Sequence, residues 1–304
     1  LGEGGMGVVY LAEDITLNRK VAIKFMHKSM LASLPTQELR EQVEQRFIRE
    51  AKSVAGISHT NIAQVYEANF SDDNWYIVME FINGRPLDDI LKEDGAFTEK
   101  DALRILDQTS KGLKYAWDNC KVVHRDIKPQ NLMLTFDNYV KIVDLGLAKP
   151  VVEYEDDALD LTGVGIPVGT PFYMSPEQAV AGKVDYRADM FALGATIYEL
   201  MTGSKTYKGK TQAMIYGKKI NQEYTRLGEL GVDANIAELI DKLLEPSVAN
   251  RYETWEELIY DIRLVRRGQP ISNSKIIPEH FDPMEDTIDE TRSSFQNQAI
   301  PEVD

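Results

Sequence analysis

The sequence lacks the features that mark secreted, membrane-spanning and disulfide-stabilised proteins. It has a single cysteine, Cys120, in 304 residues, so no internal disulfide can form, which fits a reducing compartment such as the cytoplasm. No stretch approaches the ~20 uninterrupted apolar residues of a membrane helix, and the start has no signal-peptide pattern. We therefore expect a cytoplasmic domain with no membrane span in this chain.

Basic residues are also few. The chain carries 34 Lys and Arg against 49 Asp and Glu, a net charge of -15, whereas nucleic-acid binding needs clustered positive charge. A nucleic-acid partner is therefore not expected. The hydrophobic content of 43% is ordinary for a chain that buries a core, and the length suits one large domain or two lobes.

The hydrophobic pattern divides the chain into two parts of different class. An alternation of apolar and polar residues predicts strands at residues 8–11, 21–26, 62–67 and 75–81, with one helix around residues 43–54. After the break at Asn83-Gly84-Arg85-Pro86, amphipathic periodicity predicts helices at residues 101–119, 186–201, 236–244 and 255–266.

These patterns predict two lobes and a tail. The small lobe spans residues 1–82, the larger, mainly helical lobe spans 83–268, and an acidic, aperiodic tail or linker spans 269–304. The chain opens without methionine, at Leu1, on a glycine-rich turn that ought to follow a strand. We therefore expect the small lobe to be truncated at its start.

A glycine-rich segment suggests a phosphate site. Gly2-Glu3-Gly4-Gly5-Met6-Gly7 fits a GxGxxG pattern, in which missing side chains let backbone N–H groups approach phosphate oxygens. A dinucleotide-binding fingerprint would open a helix. Here Val8-Val9-Tyr10-Leu11 continues as a strand, which favours a hairpin over the phosphates, while a plain glycine-rich hairpin stays open as the alternative.

A lysine and a glutamate lie where apolar residues are expected. Lys24 shares one face of the strand at residues 21–26 with Ala22, so it either protects an exposed sheet edge or reaches an anionic ligand. Glu50 falls on the apolar stripe of the predicted helix. A carboxylate there either reaches solvent or pairs with a cation, and Lys24 is the natural partner.

Five ordered motifs give the most specific signal. The run His124-Arg125-Asp126-Ile127-Lys128-Pro129-Gln130-Asn131 is followed by Asp144-Leu145-Gly146, and GEGGMG, VAIK and SPE complete the series. With these motifs the chain resembles the eukaryotic-type (Hanks-type) serine/threonine protein kinases, most of all their bacterial members, over residues 1 to about 267. The resemblance implies an α+β, bilobal protein-kinase fold, with a β-rich small lobe containing one key helix and a mainly helical larger lobe.

The resemblance also implies a role for each motif residue in phosphoryl transfer from ATP. Asp126 matches the aspartate that accepts the proton of the attacking hydroxyl, and Lys128 supplies positive charge to the moving phosphoryl group. Asn131 and Asp144 match the ligands of Mg2+, with Mn2+ as the alternative ion. Lys24 matches the lysine that holds the α- and β-phosphates, and Glu50 matches the helix residue that positions it.

By the same resemblance, apolar residues enclose the adenine. Val9, Ala22 and Met133 are expected around the ring, with Met79 at the back of the pocket and the hinge formed by Glu80, Phe81 and Ile82. His124, Leu145, Val54 and Val65 are expected to stack as a hydrophobic column, so His124 is a core residue rather than a general base. Ordinary core packing explains the same hydrophobicity.

A platform for protein substrates is the last implied feature. Glu177 and Arg251 match a buried ion pair, and Asp189 matches an aspartate that braces the catalytic loop. Lys128 and Thr170 agree with serine and threonine side chains as acceptors. Leu145 stands where the family usually has phenylalanine and Ser175 where it has alanine, and the segment near residues 29–36 is extra and has no assigned function.

Two classes of function fit these motifs. The first is an active kinase that phosphorylates serine and threonine residues of proteins, including itself in trans, and the second is a pseudokinase that binds nucleotide as a scaffold. Arg125 beside Asp126 needs an anion from the activation segment, which includes residues 151–168. We expect that anion to be a phosphate on Thr162, with Thr170 as the second candidate. The kinase domain is expected in the cytoplasm, alone or as part of a membrane-anchored receptor.

Overall fold

The computed structural model has a small β-sheet lobe followed by a helical lobe, which confirms the predicted bilobal α+β fold. It describes residues 1–4, 7–26, 36–38, 54–71, 74–145, 171–180, 182, 184–272, 277–278 and 280–284. The helix predicted around residues 43–54 lies outside these residues except for Val54.

The small lobe is a five-stranded antiparallel sheet. Its strands are β1 (Gly2–Gly4), β2 (Gly7–Asp14), β3 (Arg19–Met26), β4 (Val65–Ser71) and β5 (Asn74–Glu80). Their order is β1-β2-β3-β5-β4. Gly4 pairs with Gly7 across β1 and β2, so the glycine-rich segment is a hairpin, as the strand pattern after it predicts.

The larger lobe is built from helices. Among the described residues these are α1 (Leu87–Asp94), α2 (Glu99–Cys120), α3 (Pro176–Ala179), α4 (Arg187–Thr202), α5 (Gln212–Ile220), α6 (Ala234–Leu243) and α7 (Trp255–Arg266). Side chains of Thr98, Asp233 and Thr254 accept backbone N–H bonds at the starts of α2, α6 and α7, where the first turn has no internal acceptors. Helix α4 is buried on nearly every side and forms the centre of the lobe.

A second, three-stranded sheet lies between the loop of Asp126, Lys128 and Asn131 and the residue Asp144. It contains β6 (Gly84–Pro86), β7 (Leu132–Thr135) and β8 (Val140–Ile142), in that order. The Asn83-Gly84-Arg85-Pro86 segment, predicted as a break, therefore forms a short strand over most of its length. Its register against β7 runs from Gly84 opposite Thr135 to Pro86 opposite Met133. Proline is tolerated there because β6 is an edge strand.

The two lobes are joined at β8. Ile62 forms a parallel bridge with Ile142, and the N–H of Ala63 donates to the Ile142 carbonyl at 2.9 Å. From β5, the Glu80 carboxylate forms an ion pair with Lys141 at 2.9 Å. Residues 61–63 and the end of β5 are thereby held against the strand that leads to Asp144.

Part of the predicted tail packs against the larger lobe. Ile271 is buried, and the N–H of Ser272 donates to the buried Asp261 of α7 at 2.8 Å. Further along, the Phe281 ring packs on Tyr260 with centroids 5.1 Å apart. None of the helices in the described residues combines the length and apolar character needed to cross a membrane.

Candidate active site

Lys24 lies at the centre of the small lobe. Strand β3 is flanked by β2 and β5, so the reading of Lys24 as an edge-protecting lysine is wrong. The residue is only 7% exposed, and its Nζ lies 2.7 Å from Oδ1 of Asp144. A buried ammonium needs such a partner because desolvation otherwise opposes its charge.

Asp144 follows β8 in a backbone conformation with φ of 60°. A non-glycine residue is uncommon in this left-handed region and is held there by its surroundings. Burial raises the pKa of Asp144, but Lys24, followed by His124 and Lys128, more than offsets burial and holds the pKa below its ordinary value. Asp144 is therefore a carboxylate at neutral pH.

The loop before β7 brings three predicted site residues together. Lys128 Nζ donates to Oδ2 of Asp126 at 2.8 Å. The Asn131 amide donates to the Asp126 carbonyl at 2.8 Å and to its Oδ2 at 3.2 Å. The Val143 N–H donates to the Asn131 carbonyl at 3.0 Å. The Asp126 carboxylate is thus oriented by a cation and an amide, next to the strand that ends before Asp144.

Asp189 of α4 holds the same loop from below. Its two carboxylate oxygens accept the backbone N–H groups of His124 and Arg125, each at 2.7 Å. Arg125 has φ of 65°, so this brace fixes a backbone turn that few residues adopt. The predicted contact of Asp189 with the catalytic loop is present.

His124 is a buried structural residue in this arrangement. Its Nε2 bonds the Val143 carbonyl at 3.0 Å, while its Nδ1 bonds the Asp126 N–H at 3.2 Å. Because the N–H can only donate and the carbonyl can only accept, the ring proton is on Nε2. With both ring nitrogens engaged, His124 has no nitrogen left for proton transfer, as predicted.

The predicted adenine-pocket residues lie on one face of the small sheet. Ala22 pairs with Met79 across β3 and β5, and Val9 pairs with Lys24 across β2 and β3. Directly opposite residues project to the same side of a sheet, as do residues two apart on one strand. These four side chains therefore share one face.

The remaining pocket and column residues are at least half-buried. Met133 is half-buried on β7, and Ile82 is buried just after β5. Glu80 uses its carboxylate to accept the Gln64 N–H at 3.0 Å in addition to its ion pair. The column residues Val54, Val65, His124 and Leu145 are all buried.

Several predicted site residues fall outside the described part of the chain. They are Gly5, Met6, Glu50, Thr162 and Thr170. Gly2, Glu3 and Gly4 are described as the backbone of β1. The pairing of Glu50 with Lys24 and the roles of both threonines remain predictions.

The predicted substrate platform contains a buried ion pair. The Arg251 guanidinium donates to both carboxylate oxygens of Glu177, at 2.7 and 2.8 Å. Its remaining N–H groups donate to the carbonyls of Glu245, Pro246 and Arg187. Burial raises the pKa of Glu177, but the bonds from Arg251 outweigh burial and leave the pKa lowered.

The residues that hold this platform in place were not predicted from the sequence. Gln178 donates from Nε2 to the Arg125 carbonyl at 3.2 Å. Lys219 of α5 is fully buried and bonds the carbonyls of Pro171 and Met174. Burial lowers the pKa of Lys219 to about 7, with Glu177 opposing the shift. One sequence signal could have indicated that Lys219 is buried. It lies four positions after the apolar residue Ile215 and therefore on the same face of the helix.

Residues 1–261 match the protein kinase domain family. The chain belongs to the protein kinase family. The chain is 33% identical over 286 residues to a probable serine/threonine-protein kinase of Clostridium perfringens, covering 93% of the chain and 40% of that relative. It is 32% identical to the serine/threonine-protein kinase PknB of Mycobacterium leprae, covering 92% of the chain and 44% of that relative.

A third relative is the serine/threonine-protein kinase PrkC of Bacillus subtilis, with 33% identity over 86% of the chain and 39% of that relative. The predicted likeness to bacterial members of the family is confirmed. The chain spans about two fifths of the length of these curated relatives.

Proposed function

We propose that the chain is a protein serine/threonine kinase, which transfers the γ-phosphoryl group of ATP to serine and threonine hydroxyls of proteins. The main support is the convergence of the Lys24–Asp144 ion pair with the Asp126, Lys128 and Asn131 loop. The bonds of Val143 to Asn131 and to His124 tie the two halves of this arrangement together.

The residues present fit a nucleotide with its divalent cation. Asn131 and Asp144 offer hard oxygen donors, few enough to leave room for phosphate oxygens and water, which Mg2+ prefers to an all-protein site. Mn2+, which accepts the same ligands, is the second candidate ion. When bound, the cation neutralises the charge on the phosphate oxygens. Lys24 would hold the α- and β-phosphates, and Val9, Ala22, Met79 and Met133 would contact the adenine.

The loop between α2 and β7 would supply the side chains that act in the chemical step. Asp126 would accept the proton of the attacking hydroxyl, for which Lys128 and the Asn131 amide hold its carboxylate in one orientation. Lys128, whose Nζ lies 2.8 Å from Asp126 Oδ2, would supply positive charge to the phosphoryl group beside the acceptor. Thr170 would narrow the site to short hydroxyl side chains.

Replacing the proposed proton acceptor tests this function. Asp126→Asn removes the carboxylate but leaves the residues proposed to hold the nucleotide, so transfer to a generic basic protein should be lost while ATP binding stays near wild type. Wild-type turnover in this variant would contradict the proposal. A wild-type chain that binds ATP but transfers no phosphate would instead support the pseudokinase alternative.

We also propose that the kinase phosphorylates Thr162 in trans and that the phosphate pairs with Arg125. A phosphate adds about two negative charges and three acceptor oxygens, enough to hold the loop against the guanidinium. Intact-mass and peptide mapping after incubation with Mg-ATP test this, with Thr162→Ala as the variant and Thr170→Ala as the comparison. Unmodified Thr162, or unchanged activity in Thr162→Ala, would contradict it.

A cytoplasmic location is proposed for this kinase domain, alone or within a membrane-anchored receptor. The single cysteine supports a reducing compartment. The sequence of the gene beyond residue 304, read for an apolar run of about 20 residues, distinguishes the two arrangements.

A further inference from the structure

Lys219 is buried, although most side chains of its helix, α5, are exposed or half-buried. It lies in the last turn of α5 with no solvent exposure, among the rings of Phe191, Tyr207 and Tyr216 at 5.4–5.8 Å. Within the described part of the chain it forms no ion pair. An apolar side chain would fill this space without the cost of burying an amine.

The contacts of Lys219 show what the amine does. Its Nζ donates to the Pro171 carbonyl at 2.6 Å and also to the Met174 carbonyl. These two acceptors lie three residues apart in the turn that precedes α3. An amine has two N–H groups even when uncharged, so one side chain can satisfy both carbonyls at once.

The turn held by Lys219 is connected to the loop of Asp126 through hydrogen bonds of α3. Ser175 caps the start of α3, and its side chain and that of Gln178 form reciprocal bonds with the backbone. Gln178 then donates to the Arg125 carbonyl at 3.2 Å. Residues 171–175 are therefore held by Lys219 on one side and linked to the residue before Asp126 on the other. We call residues 171–175 the platform turn.

A second set of contacts holds the middle of the platform turn. Tyr173 donates its hydroxyl proton to the buried carboxylate of Glu199 on α4, and Lys205 bonds both of them. This cluster fixes the Tyr173 side chain, whereas Lys219 holds backbone carbonyls on either side of it. The two sets are complementary, so loss of Lys219 leaves the turn attached but its backbone free to shift.

We propose that Lys219 is a positioning residue for the protein acceptor, setting the backbone of the platform turn against which the acceptor chain lies beside Asp126. The proposal rests on the proposed kinase function. It predicts a selective effect, because Lys219 contacts neither the residues proposed to bind ATP nor the ion pair of Lys24.

The test uses Lys219→Met, which keeps an unbranched side chain of similar length but has no N–H donor. We expect the KM for a generic basic protein, such as myelin basic protein, to rise about tenfold, the scale of a buried acceptor left without its donor. The KM for ATP should change by less than about twofold, because Lys219 contacts none of the residues proposed to bind ATP. Lys219→Arg retains donors and should return the acceptor KM toward wild type.

Lys218→Met is the matched control, because it makes the same substitution one residue earlier on the same helix, at a half-buried position, and should leave both KM values unchanged. Thermal unfolding of each variant checks that the fold is kept. An unchanged acceptor KM in Lys219→Met, an equal rise in both KM values, or no recovery in Lys219→Arg would overturn the proposal. Absence of transfer by the wild-type chain would contradict the proposed function instead.

Discussion

Glu177→Gln should destabilise the larger lobe strongly, because it breaks one side of a buried ion pair. The Arg251 side chain has no exposed surface, and the Glu177 side chain is 13% exposed. The substitution keeps the size of residue 177 but removes its charge and one of the two side-chain oxygens that accept from the guanidinium. Arg251 would then remain buried without a counter-charge.

The magnitude follows from how completely Arg251 is engaged. Three of its contacts go to backbone carbonyls, and the two at 2.7 and 2.8 Å go to Glu177. Removing one partner of a buried pair costs about 3–5 kcal/mol. With a denaturant slope of about 2 kcal/mol per molar urea, the unfolding midpoint would fall by roughly 1.5–2.5 M.

Urea unfolding followed by tryptophan fluorescence is a suitable assay, since Trp255 and Trp117 lie in the larger lobe. Glu93→Gln is the control, because Glu93 pairs with Arg85 at 2.6 Å but its side chain is 67% exposed, and exposed pairs contribute about 0–1 kcal/mol. Equal midpoints for Glu177→Gln and wild type would refute the reasoning, as would an equal loss in both variants.

Three further predictions test the site and its support. Lys24→Met should reduce phosphoryl transfer severely with little change in fold, measured as transfer to a basic protein, and a wild-type rate would show that another cation holds the phosphates. Asp189→Asn keeps only one acceptor for the N–H groups of His124 and Arg125, so kcat should fall more than the KM for ATP rises, and an unchanged kcat would contradict the brace. The pKa of Glu177 is lowered in the folded chain, so between that pKa and the ordinary 4.5 the unfolded chain binds more protons than the folded chain. The unfolding free energy should therefore fall as pH drops through that window. Urea unfolding at each pH measures the fall, which should be smaller in Glu177→Gln.

Local sequence was sufficient for much of the fold and for the catalytic loop. Asp126, Lys128 and Asn131 lie within six residues, so the contacts among them depend on one short segment of backbone. Helix α7 was predicted with its observed ends, because its apolar period is regular and Thr254 caps its start. The hairpin formed by β1 and β2 follows in the same way from the strand pattern after Gly7.

Short elements were less predictable. Helices α1 and α5 were missed, and Gly84, Arg85 and Pro86 were predicted as a break although they form β6. A helix of eight or nine residues spans little more than two turns, too few for periodicity to separate it from a loop. Strand β6 exists only through its pairing with β7, which no local pattern contains.

The sequence alone determined the family, the loop of Asp126, Lys128 and Asn131, and the presence of a lysine in an apolar strand, since each depends on short motifs or on their order along the chain. Tertiary structure decided which partners these residues meet. Lys24 meets Asp144 from 120 positions away, and Lys219 meets Pro171 from 48 positions away. Such contacts depend on how whole helices and strands pack, and the residue type alone does not determine whether a lysine is buried or exposed.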